Sequence, residues 1–136
     1  MASTLFRGPV LVGKKNEGGK TGFNIEQKDS NYTVVISTDS GKTFLSNTTD
    51  VVFTLPAIAV GNVFTFINTG ADAQNNLTVS PDGDDGILYL GGLVDDKDVI
   101  NTQATSKVGD YVTIASLNST VFWTVVDSQG VWAKES

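Results

Sequence analysis

Beyond residue 31 no stretch of this chain places its apolar residues at the i, i+3, i+4, i+7 spacing of a capped amphipathic helix. Short runs of β-branched and aromatic residues take its place: Tyr32–Ser37, Thr43–Leu45, Val51–Leu55, Asn62–Ile67, Leu77–Val79, Ile87–Leu90, Tyr111–Ala115 and Val121–Val126. Turn residues separate them. Asp39-Ser40-Gly41-Lys42 reads as a turn with Gly at the positive-φ position. Pro56 stops the Val51–Leu55 run. Asp127-Ser128-Gln129-Gly130 reads as a hairpin turn into Val131-Trp132-Ala133. About eight strands at roughly 8–12-residue spacing predict an all-β, single-domain β-sandwich or small barrel, with at most a helical turn near residues 95–104.

Residues 1–30 have a different texture. They hold Gly8, Pro9, Gly13, Gly18, Gly19 and Gly22, and only two apolar clusters, Leu5-Phe6 and Val10-Leu11-Val12. Such a segment buries too little to offset its own ordering entropy. The expected organisation is a flexible basic N-terminal arm over 1–30 and an all-β domain over 31–136, one core for 136 residues. The arm is expected to be mobile in isolation and to dock where a partner offers a groove.

Charge follows the same division. Residues 1–28 carry Arg7, Lys14, Lys15, Lys20 and Lys28 against Glu17 and Glu26, a net +3, and the remainder carries −9. A basic arm on an acidic body implies two surfaces with different partners. The acidic body repels phosphate, so nucleic acid is not an expected partner. No apolar run reaches the roughly 18–20 residues of a membrane span, and no signal-peptide core is recognised, so the expected site of synthesis is a reducing cytoplasm.

The chain has neither cysteine nor histidine. That removes disulfides, thiolate and imidazole metal sites, and mechanisms needing a Cys nucleophile or a His base. The chemical look-alikes also fail on spacing. Gly13-Lys14-Lys15-Asn16-Glu17-Gly18-Gly19-Lys20-Thr21 has one residue too many for a phosphate loop and lacks its strand and helix. Asp82-Gly83-Asp84-Asp85-Gly86 puts Gly86 and Ile87 where a calcium loop needs an acid and a Gly; the reading preferred is a solvated Asp/Gly turn. Paired carboxylates in Gly-rich turns lack the apolar surroundings of a glycosidase acid. No catalytic, cofactor or metal site is expected. Trp123, inside an apolar strand, is expected in the core, whereas Trp132 either caps the core or sits at an interface.

A resemblance enters with the order of the body's motifs. Asp39-Ser40-Gly41-Lys42-Thr43-Phe44 is followed by Thr54-Leu55-Pro56, Gly61-Asn62-Val63-Phe64-Thr65-Phe66, Leu77-Thr78-Val79-Ser80-Pro81-Asp82-Gly83, Gly109-Asp110-Tyr111-Val112-Thr113-Ile114, Phe122-Trp123-Thr124-Val125 and Gly130-Val131-Trp132. Over residues 32–134 this order resembles a β module of tailed-phage capsid decoration, head-fibre and tail-fibre proteins. Phe6-Arg7-Gly8-Pro9-Val10 is similar to the start of small phage head proteins. The resemblance implies a non-enzymatic virion protein, commonly a homotrimer, that binds the major capsid protein on the outer head surface and stabilises the shell. The residues expected to anchor it are Leu5, Phe6, Arg7, Val10 and Leu11, with Lys14 and Lys15 steering. The alternative is a head- or tail-fibre adhesion module binding surface glycans through Trp132, Tyr89 and turn acids.

Overall fold

The computed structural model describes residues 24–89, 96–117 and 120–135. The residues expected to anchor the chain, Leu5, Phe6, Arg7, Val10, Leu11, Lys14 and Lys15, lie outside these described residues. The body is an all-β sandwich of two mixed sheets. Its strands are β1 (Ile25–Gln27), β2 (Tyr32–Thr33), β3 (Thr43–Ser46), β4 (Val51–Thr54), β5 (Val63–Asn68), β6 (Leu77–Ser80), β7 (Gly86–Leu88), β8 (Val99–Asn101), β9 (Tyr111–Ala115), β10 (Phe122–Gln129) and β11 (Trp132–Lys134). One sheet has the order β1-β3-β5-β9-β10-β7, the other β11-β8-β6-β4-β2.

The chain changes sheet at every step from β1 to β9. Its first half is therefore wound in parallel coils. β1, β3 and β5 stack in one sheet while β2, β4 and β6 stack in the other. Two-residue alternation makes this possible, since each strand puts every second side chain into the space between the sheets. Phe44, Phe64, Phe66, Val112, Ile114 and Trp123 from one sheet meet Val51, Phe53, Leu77, Val79 and Val99 from the other, all essentially without solvent exposure. Phe44 and Phe66, register partners on β3 and β5, stack with centroids 5.7 Å apart, and Phe53 leans on both. Full burial of such side chains contributes about 1.5–3 kcal/mol each. Among the described residues the strands carry charge only at Glu26, Asp127 and Lys134.

Three features differ from the expectations. Tyr32–Ser37 does not stay extended: β2 ends at Thr33, and Ile36–Asp39 forms one helical turn, α1. The Asp39 carboxylate causes this by accepting the amide of Val35 at 2.9 Å, which folds the run back on itself. Asp127–Gly130 is not a hairpin turn. β10 continues to Gln129 after a bulge at Val126, and the chain turns at Gly130 (φ +94°) to cross into the other sheet, where β11 pairs with β8. The helical turn expected near residues 95–104 is present as a 3₁₀ turn at Gln103–Thr105, preceded by β8. In addition, β1 lies within the stretch read as arm, so residues 25–27 are part of the sheet.

Candidate functional site

The residues that join the leading segment to the body form a charged cluster between the two sheets, at the open end of the coil stack. Glu26 sits on β1, opposite Phe44 in register, so a carboxylate stands where the row of Phe44 and Phe66 would otherwise continue. It reaches Lys28 Nζ at 2.6 Å and Lys42 Nζ at 2.7 Å. Lys42 also meets the Asp39 carboxylate at 2.9 Å. The other oxygen of Asp39 accepts from the Tyr32 hydroxyl at 2.7 Å and from the Val35 amide. Lys28 Nζ lies 3.8 Å from the centre of the Tyr32 ring, a cation–π contact.

Burial divides the cluster into an inner and an outer part. The Asp39 side chain is 1% exposed and that of Lys42 8%, whereas Glu26 keeps 40%. A buried ion pair needs its remaining bonding capacity filled, and here α1 and β2 supply the partners of Asp39. Burial pushes the Asp39 pKa up, but Tyr32, Val35 and Lys42 together hold it below the ordinary value. Burial likewise pushes Lys42 down, and its two carboxylates more than reverse this, raising it. The bonds from Lys28 and Lys42 keep Glu26 low. The hydrogen bond to Asp39, aided by burial, pushes Tyr32 up to about 12. The charged forms of Asp39, Glu26 and Lys42 and the neutral phenol of Tyr32 are thus mutually supporting. A shallow depression lies over this cluster, lined by Asn24, Tyr32, Ser37, Thr38, Asp39, Ser40 and Lys42.

The opposite end of the sandwich holds a second buried polar cluster, built from Asn68, Asn101 and Asp110. Asn68 Nδ2 donates to Asn101 Oδ1 at 2.8 Å, and Asn101 Nδ2 donates to Asp110 Oδ2 at 2.9 Å and to the Val131 carbonyl at 3.0 Å. Asp110 also accepts the Lys107 amide, and Asn68 Oδ1 accepts the Gly70 amide. These contacts tie the β5–β6 turn, the β8–β9 link and the β10–β11 crossing together. Their partners are filled internally, which marks the group as a structural lock.

The other sequence candidates fall into place individually. The Asp82–Asp85 turn does not gather a cation cage: Asp85 Oδ2 accepts the Ile58 amide at 2.9 Å, while Asp82 and Asp84 face solvent. Among the described residues no group of three acidic side chains converges as metal ligands. Trp132 is 5% exposed and its indole N–H donates to the Gln129 carbonyl, so it caps the core and its ring faces are covered. Tyr89 is half-buried against the same core. Trp123 is fully buried, as expected, against Phe64, and its indole N–H meets no acceptor among the described residues. Sequence reasoning took Glu26 and Lys28 as arm charges and Asp39 and Lys42 as turn residues. Their convergence depends on coil stacking, which no local pattern encodes. No protein-family model matches the chain, and no curated protein matches it in sequence.

Proposed function

We propose that this chain is a capsid decoration protein of a tailed phage: a rigid β body held on the outer surface of the head by residues 2–23, with Leu5, Phe6, Arg7, Val10 and Leu11 as the anchoring side chains and Lys14 and Lys15 as steering charges. The observation that carries the reading is the root of the leading segment. Residues 1–23 precede β1 in the sequence, and β1, the terminal strand of its sheet among the described residues, is fastened by the bonds of Glu26 to Lys28 and Lys42. A tether transmits force to a shell only if its attachment to the body is stiff, and an ion-pair cluster whose inner half is buried supplies that stiffness. The strand faces, almost free of charge, leave the acidic groups to the loops, where they favour solubility and repel nucleic acid. Assembly as a homotrimer would place three tethers on one patch of the major capsid protein and raise avidity without new contacts.

The test is binding to empty phage heads. The full chain is expected to co-sediment saturably and to raise the heads' resistance to heat. The double substitution Leu5→Ser with Phe6→Ser should weaken binding by at least about tenfold, the loss expected when two buried apolar anchors are removed. Equal binding by the variant sinks the reading, as does saturable sugar binding on a glycan array accompanied by Trp quenching.

A further inference from the structure

We infer that Asp82-Gly83, in the turn between β6 and β7, is a site of spontaneous backbone modification at which the folded protein converts aspartate to isoaspartate, while the neighbouring Asp85-Gly86 is held unreactive by the fold. The chain has two Asp-Gly pairs, and both lie in this one turn. Glycine matters because it has no Cβ to shield its amide nitrogen from the side chain before it. The chemistry needs only water. The Gly nitrogen attacks Cγ of the protonated Asp carboxyl. The N–Cγ bond forms, the carboxyl hydroxyl leaves with the amide proton as water, and a cyclic imide results. Water then opens the ring at either carbonyl. Breaking the N–Cγ bond restores aspartate. Breaking the bond between the nitrogen and the original main-chain carbonyl leaves the chain running through Cγ, as an isoaspartate of unchanged mass.

Ring closure requires a free carboxyl, a free amide and a peptide unit able to swing. Asp82 and Gly83 are both exposed. Among the described residues the Asp82 carboxylate meets no donor and the Gly83 amide meets no acceptor. A Cβ on Gly83 would meet nothing within 4 Å, so the space beside its amide is open. One turn bond crosses the pair, from the Asp85 amide to the Asp82 carbonyl at 2.8 Å. Asp85-Gly86 has the opposite setting. Asp85 is 6% exposed, and its Oδ2 accepts the Ile58 amide at 2.9 Å. Its carbonyl accepts the Asp96 amide at 2.9 Å, and the Gly86 amide donates to the Val121 carbonyl at 3.1 Å. Gly86 also opens β7, in register with Phe122 on β10. Both reacting groups of this pair are committed elsewhere, and closing the ring would first require opening a strand. The modification therefore falls on an outward residue and spares the contact by which Asp85 fastens the β4–β5 loop. It is independent of shell binding.

Ageing the full-length chain in neutral buffer tests this, with peptide mapping by electron-transfer mass spectrometry, which tells isoaspartate from aspartate by its main-chain fragments. In the folded protein isoaspartate should accumulate at residue 82 at least about tenfold faster than at residue 85, the separation expected when one site reacts in place and the other only after local opening. In urea the two sites should react at similar rates. Gly83→Ala, whose added Cβ has room, should suppress the reaction at residue 82 without unfolding the protein. Equal rates at the two sites in the folded protein overturn the inference. So does an unmodified residue 82 in the folded protein under ageing that modifies the unfolded chain, and so does undiminished reaction in Gly83→Ala.

Discussion

Glu26 and Phe44 face each other across the parallel pair of β1 and β3, and Phe44 in turn faces Phe66 on β5. One row of inward positions therefore passes from two stacked rings to a carboxylate. Phe44 and Phe66 have sheet neighbours on both sides and are fully buried, whereas Glu26 has, among the described strands, a neighbour on one side and stays 40% exposed. The carboxylate keeps partial contact with water while it bridges two lysines, and so closes the end of the core at low desolvation cost.

Lys42 is the centre of that closure. Lys42→Met removes both of its ion pairs and leaves the buried Asp39 carboxylate with only Tyr32 and Val35. The expected loss is about 3 kcal/mol, the usual cost of leaving a buried charge without its partner. Urea unfolding with the slope held fixed measures it. Stability unchanged within error would mean that the cluster is a solvated surface group.

The same cluster sets a pH dependence. Asp39 and Glu26 have folded pKa values below their ordinary ones. The unfolded chain therefore takes up protons first as pH falls. Their stabilisation is complete above the ordinary carboxylate range and disappears as pH drops through the folded values. Tyr32 has the opposite sign: raised from 10.0 to about 12, it stabilises fully below pH 10, and that contribution is lost as pH rises through about 12. Asp98, which burial holds above its ordinary value, acts against the acid loss. Differences between parent and variant urea midpoints across pH isolate each group. Asp39→Asn should flatten the acid limb, and Tyr32→Phe should remove its part of the alkaline limb.

Two turn glycines separate strain from crowding. Gly41 (φ +76°) and Gly130 (φ +94°) both hold left-handed backbone. A Cβ on Gly41 meets open space, whereas one on Gly130 would overlap the Asp110 carboxylate. Gly41→Ala is expected to cost about 1 kcal/mol from backbone strain alone. Gly130→Ala should cost about 2 kcal/mol more, because it also displaces a partner of the buried Asn101 amide. Thermal unfolding of the two variants checks the order, and equal costs would show that Asp110 yields freely.

Asn101→Leu tests the lock at the far end. It keeps the approximate volume but leaves Asn68 Nδ2 and Asp110 Oδ2 each short of a partner inside the protein. A loss of about 2–3 kcal/mol is expected, in line with the cost of unmet buried polar groups. A change below the error of the urea midpoint would indicate that the lock contributes little.

The fold class was legible because two-residue alternation survives in nearly every strand: Phe44, Phe53, Phe64, Phe66, Val112 and Trp123 all point inward as their runs demand. What local pattern left open was which strand sits beside which. Gln129 reads as a turn residue from composition, yet pairs with Tyr111 because the bulge at Val126 restores the register of β10 and lets it run on. Ile36 and Ser37 read as strand, yet the Asp39 carboxylate captures the Val35 amide and bends them into a helical turn. The cluster of Glu26, Tyr32, Asp39 and Lys42 was equally hidden, since Glu26 and Lys42 meet only once β1 lies beside β3. The convergence of Asn68, Asn101 and Asp110 depends in the same way on three separate turns.

The alternation of the chain between sheets also governs how the protein reaches its native state. Among the described strands, β9 and β10 are the one pair adjacent both in sequence and in a sheet. Every other ladder waits for the chain between its strands, residues 28–42 in the shortest case, to close, and closure entropy has to be met before pairing returns anything. Refolding on the slow, millisecond-to-second side of the range for small domains follows. The β9–β10 hairpin is the natural place for it to begin, and the coils bearing β1 and β2, which have one neighbour each among the described strands, are the natural last to join.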